Sequence, residues 1–157
     1  PGAKQVKALK TRLKRLISEW SFNKKSVIIE KAALSKKNGF TYFNGNNNHE
    51  MLSFAKEMKN KKINHSENKI KTISLDTYLG EKEVSFIKAD VEGMEIELIE
   101  GAAKIINKQK PLLAIAAYHY PNDIYSIFNL IYSIRNDYRF RLRHHAKVIG
   151  DYVLYAY

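Results

Sequence analysis

The chain has no cysteine among its 157 residues. A disulfide framework, a thiolate nucleophile and a zinc site built on sulfur are therefore excluded. Proline is scarce, with three residues, and the seven glycines fall at separated positions rather than in one rich loop. No apolar run approaches the roughly 18–20 residues that span a bilayer, and no signal-peptide pattern opens the sequence. The expected compartment is the cytoplasm. Also missing are a P-loop, G-x-G-x-x-G, G-x-S-x-G and H-E-x-x-H, which removes the common signatures of nucleotide, hydrolase and zinc-protease sites.

What is present is the balance of a folded globular protein: 45% hydrophobic and 27% charged residues, enough for one domain covering 1–157. Acidic residues are few. The formal net charge is +11, and much of the excess lies in residues 1–25, where Lys4, Lys7, Lys10, Arg12, Lys14, Arg15, Lys24 and Lys25 face only Glu19. A solvated basic helix face accounts for this; a surface for an anionic partner is the alternative. The aromatic residues carry no RNA-recognition signature, which argues against a nucleic-acid ligand.

Val6, Leu9, Leu13, Leu16, Ile17 and Trp20 recur at steps of three and four, predicting a helix from Gly2 to about Trp20. Ser26–Glu30 reads as a short strand and Gly39–Phe43 as another. Asn44–Asn48 reads as a turn, with Asn47 and Glu50 spaced as a capping box before a short helix marked by Met51, Phe54, Ala55 and Met58. A polar loop over 59–69 then leads to an edge or half-exposed strand at Ile70–Leu75. Val84–Ala89 is a strand running into Asp90. Met94, Leu98, Ala102 and Ile105 form a single helical stripe. Leu112–Tyr118 is apolar throughout, as in a strand covered on both faces. Pro121 can open a further helix, whose apolar face is Ile124, Ile127, Phe128, Ile131 and Ile134. Tyr138–Arg143 and Tyr152–Tyr157 are two strands in succession. Alternating strands and helices followed by a hairpin predict an α/β sandwich with a mostly parallel sheet that finishes antiparallel.

Ligands in such sheets bind outside the carboxyl ends of parallel strands. Three strand ends carry chemistry here: Glu30 followed by Lys31, Ala32 and Ala33; Asp90 with Glu92 and Glu95; and Tyr118 with His119. If the two central strands are neighbours, Asp90 and His119 share one crevice. Asp90 is either a turn residue or a site carboxylate, and His119 either a structural histidine or a general base. Glu92 and Glu95 are either helix-start acids or pocket residues. Of His144 and His145, at least one is expected to be structural. A metal held by Asp90, Glu92 and a histidine has no ligand spacing in its favour, so the sequence is read as having no metal site.

Ser74–Leu79 followed by Phe86–Glu95 (FIKADVEGME) resembles the "LDdyl … fIKiDvEGaE" block of FkbM-type methyltransferases. Ile99-Glu100-Gly101-Ala102, the segment Pro111 to Pro121, and Tyr138–His145 with Val153–Ala156 resemble the family's later motifs in the same order. The resemblance implies a three-layer, Rossmann-like class I methyltransferase sheet that uses S-adenosylmethionine to methylate a hydroxyl of a sugar or other small metabolite. It also implies His119 as general base, Asp90 orienting it, the substrate or the cofactor, and Glu92 as a second base. Ala32 and Ala33 would flank the adenine, with Asp90 completing the cofactor contacts; Glu95, Tyr118 and His144 would line the substrate. The family's first strand, glycine-rich cofactor loop and acidic second strand end have no counterpart from Pro1 onward. The sequence therefore reads as the N-terminally truncated, C-terminal portion of such a core. A catalytically inactive binding domain with a basic face is the rival reading, and a truncated sheet would favour self-association.

Overall fold

The computed structural model describes residues 3–20, 23–43, 52–53, 69–146 and 150–157. Helix α1 spans Ala3–Trp20, as its periodicity predicts. It stays largely exposed: Leu9, Leu16 and Trp20 face solvent along with Lys7, Lys10, Arg12, Lys14 and Arg15. Ser26–Glu30 is not a strand. A single 3-10 turn at Lys24–Ser26 leads into irregular backbone, and Ile28 is exposed. Three apolar residues in a row, 27–29, supply no strand without a neighbour to bond their amides.

Strands β1 (Ala33–Leu34), β2 (Gly39–Phe43), β3 (Leu52–Ser53) and β4 (Lys69–Ile73) form one sheet in the order β1-β4-β2-β3. Only the β1–β4 pair is parallel. Strand β4 is flanked on both sides, so of the two expectations, edge or half-exposed, it is the half-exposed one, with Lys69 and Lys71 exposed. Leu52–Ser53 pairs with β2 where a short helix was expected; the remainder of 44–68 lies outside the described residues.

Helix α2 (Leu75–Leu79) starts at Ser74, whose hydroxyl accepts the Thr77 amide. Strand β5 (Phe86–Ala89), helices α3 (Glu95–Glu100) and α4 (Ala103–Gln109), strand β6 (Leu112–Ala116), helix α5 (Asp123–Ile134) and strands β7 (Phe140–His144) and β8 (Tyr152–Ala156) complete the chain. The single helical stripe from Met94 onward is in fact two helices. Gly101 sits against the carbonyl of Ser35 with no room for a Cβ, and the helix breaks there. Asp76 bridges the same region. Its amide donates to Gly101 O over 2.8 Å, and its carboxylate accepts the first free amides of α4, Lys104 N and Ile105 N, each at 3.0 Å.

The second sheet runs β5-β6-β8-β7, with β8 inserted between β6 and β7. Strands β5 and β6 are parallel, Phe86 opposite Leu112 and Ala89 opposite Ile115; the other two pairings are antiparallel. Both sheets are thus mixed; in the second, β5, β6 and β7 run one way and β8, the last strand, runs against them, the antiparallel finish that the sequence predicts. One face of the second sheet (Ile87, Ala89, Leu113, Ile115, Leu154, Ala156) packs on Leu98, Ile99, Ile105, Ile106, Ile127 and Ile131 to form the core. Each fully buried leucine or isoleucine among them contributes about 1.5–3 kcal/mol. On the other face Phe86 and Leu112 are exposed. No helix among the described residues is long and apolar enough to cross a membrane.

Candidate active site

Parallel pairing carries β5 and β6 to one rim, where the first delivers Asp90 and the second, through Ala117 and Tyr118, delivers His119. Asp90 and His119 therefore meet at that rim: His119 Nε2 lies 3.6 Å from Asp90 Oδ1. Behind Asp90 the backbone turns through two left-handed residues, Glu92 (φ 55°) and Gly93 (φ 93°). Such a conformation is costly for a non-glycine residue such as Glu92. It places the Glu92 carboxylate beside the imidazole, Oε2 at 3.5 Å from Nε2. The Tyr120 ring packs directly over Gly93.

The opposite ring nitrogen, Nδ1, lies 3.2 Å from Glu95 Oε1. Glu95 belongs to the first turn of α3 but is only 2% exposed, and the same oxygen accepts the Val91 amide at 2.8 Å. Burial pushes the Glu95 carboxyl above the usual range; the Val91 and Glu95 amides and the His119 ring oppose this, and Asp123 adds to it. Glu95 is thus the floor beneath His119 rather than part of the open pocket wall.

The His119 side chain is 10% exposed, and neither ring nitrogen makes a hydrogen bond although both are buried. Its place is set by the turn after β6, where Asp123 accepts the Tyr120 amide at 2.7 Å and returns its own amide to Tyr120 O. The Tyr118 hydroxyl donates to Asp90 Oδ1 at 3.1 Å, tying the two strand ends together. Desolvation, then the nearby Asp90 charge and this hydrogen bond, push the Tyr118 phenol up to about 12, so it remains a donor at neutral pH.

A cleft of about 270 Å³ adjoins the cluster, lined by Lys88, Asp90, Tyr118, His145, Asp151 and Tyr155 over the small side chains of Ala114 and Ala116. His145 rather than His144 faces it, with Nε2 3.0 Å from the Tyr155 hydroxyl. His144 is the last residue of β7 and stacks on Tyr152, centroids 4.3 Å apart. Alternation along the strand sends consecutive residues to opposite faces, a signal that could have separated the two histidines once the covered face was known. Lys88, Asp151 and Tyr155 were not singled out from sequence either. Ala33 lies inside β1 and is 4% exposed, and Ala32 precedes it half-buried; they do not follow a strand end.

Two mixed sheets, the second packed against helices on its core face, thus bring a carboxylate and an imidazole to adjacent parallel strand ends. The model of the methyltransferase FkbM domain matches residues 18–142, and the chain belongs to that family. It is similar over its whole length to a crystal structure of methyltransferase FkbM from Methylobacillus flagellatus KT, with 26% identity and a TM-score of 0.76. The chain spans 35% of the length of that protein. No curated protein sequence matches it.

Proposed function

We propose that the chain forms the acceptor side of an S-adenosylmethionine-dependent O-methyltransferase whose substrate is a hydroxyl of a sugar or small metabolite. The observation that carries this reading is the buried His119 imidazole, free of hydrogen bonds and set at the rim against Asp90 and Glu92. The donor set suits the cofactor. Asp90 is a half-exposed carboxylate beside a cleft walled by Tyr118 and Tyr155, and carboxylates and aromatic faces both favour a cation. S-adenosylmethionine, when bound, supplies a methyl group on a positively charged sulfur.

Asp90 would meet that positive end. The chain's main task is alignment, because holding the reacting groups in line supplies much of the rate. His119 Nε2 accepts the hydroxyl proton, and Glu95 steadies the Nδ1 side of the ring. Glu92 is the second proton acceptor within reach. Family membership supports methyl transfer as the reaction, and the cleft's size supports a small acceptor. The test is turnover of the full-length enzyme together with calorimetry of S-adenosylmethionine binding. Binding with turnover that collapses in His119→Ala supports the reading. Turnover unaffected by that change removes His119 from the role.

The rival reading, a binding domain that presents the basic face of α1 to an anionic surface, draws on the exposure of Leu9, Trp20, Lys7, Lys10 and Lys14. Absence of cofactor binding, with binding to a polyanion that falls steeply with salt, would favour it.

A further inference from the structure

We propose that Asp90, Glu92 and Nε2 of His119 form a binding site for one divalent transition-metal cation. This deepens the transferase reading, and its catalytic consequence rests on that reading; the binding of the ion does not.

The distances are the first argument. Nε2 stands 3.6 Å from Asp90 Oδ1 and 3.5 Å from Glu92 Oε2, and one ligand atom from each residue lies within 4.8 Å of the others. A charge-assisted hydrogen bond between such groups closes to about 2.7–2.9 Å. Ligand atoms about 2.1 Å from a tetrahedral ion stand about 3.4 Å apart. The observed separations overshoot the first geometry and fit the second.

The second argument is the imidazole itself. Its side chain is nine-tenths buried, and neither nitrogen is hydrogen-bonded. A buried polar atom without a partner is costly, and such atoms in native proteins commonly mark an ion or water. Nδ1 lies next to the buried Glu95 carboxylate. A carboxylate behind a ligating histidine helps to orient the ring, and Glu95 Oε1 stands on that side at 3.2 Å without forming a hydrogen bond. Nε2 is the ring nitrogen that lies near both Asp90 and Glu92.

The third argument is access and charge. Asp90 and Glu92 keep 46% and 53% of their side chains exposed, so an ion can enter and retain open coordination positions. Two carboxylates and a neutral imidazole balance a charge of two. An imidazole in the set favours manganese, iron, cobalt or zinc over magnesium and calcium, which take oxygen ligands. With an ion in place the Nε2 lone pair is used. Activation of the acceptor hydroxyl then passes from proton capture at His119 to coordination, and the proton leaves to solvent from an oxygen whose acidity the ion has raised.

The experiment titrates Mn²⁺ alone into chelator-treated full-length protein, followed by calorimetry and by the loss of the free-ion electron paramagnetic resonance signal. One ion per chain is expected. Asp90→Asn, Glu92→Gln and His119→Gln should each weaken binding about tenfold or more, with Glu81→Gln as an unaffected surface control. Circular dichroism checks each fold; Asp90 and Glu92 are exposed, so their variants keep the test open even if His119→Gln unfolds. No saturable binding below about 1 mM, or binding that survives both carboxylate changes, overturns the proposal. Methyl transfer that persists undiminished after chelation removes the ion's catalytic role and leaves the transferase standing. Stoichiometric binding without any methyl transfer does the reverse.

Discussion

Tyr120 occupies the space in which a side chain on Gly93 would begin: a Cβ there would lie 2.7 Å from the edge of the tyrosine ring and 2.9 Å from its hydroxyl. The turn that aims Glu92 is thereby locked against the turn that holds His119. Gly93→Ala also meets an unfavourable φ of 93°. It should lower stability by about 1–3 kcal/mol, visible as a lower thermal midpoint. Adding Tyr120→Ala should recover the steric part and leave the backbone part. A single variant that melts with the wild type would show the contact to be unimportant.

His119→Ala should reduce kcat by roughly 10²–10⁴-fold, the usual contribution of a positioned acid–base group. The loss is expected whether the imidazole takes the proton itself or ligates an ion. Steady-state rates at saturating acceptor measure it, and a wild-type kcat would count against both roles.

Asp76 belongs to the segment whose pattern suggested the family, yet its carboxylate does structural work, accepting two amides at the start of α4. Asp76→Ala leaves them without a partner. Urea unfolding should show a loss of about 1–2 kcal/mol. A midpoint equal to wild type would mean that solvent replaces the carboxylate without penalty.

Asp137 supplies a pH dependence. Its hydrogen bond from Arg135, then that from Lys110, holds its carboxyl down to about 2. A depressed folded-state value means the contribution is present above the ordinary aspartate range and is lost as pH falls through the folded value. Asp137→Asn should therefore melt below wild type at pH 6, with the gap closing between about pH 4 and pH 2. A gap constant across that window would detach the effect from this ionisation.

Much of the frame is legible in the residues themselves. Period-3.6 spacing marks α1, β2 coincides with the aromatic run Gly39–Phe43, and the terminal hairpin follows from strict alternation. The meeting of Asp90 and His119 follows from two apolar strands joined by a helical crossover. The rest depends on tertiary contacts that local patterns do not carry. Nothing local tells that Ile28 stays exposed, or that β2 pairs antiparallel with β4. Nothing local places β8 between β6 and β7 rather than at the edge. Gly101 reads as a tolerated helical glycine until the Ser35 carbonyl is seen against it. The carboxylate cluster escapes spacing rules because its members come from two separate strand ends and a left-handed turn.

Strand β5 and strand β6 are in register residue for residue, while the helices that join them lie between in the chain. The candidate chemistry therefore depends on non-local pairing, which is slow to form because the intervening loop must close first. Asp90 and His119 come within reach only when that crossover has docked, so a refolding molecule should regain affinity for any ligand of the cluster after its helices have returned. Ligand uptake would then serve as a clock for the last stage of assembly.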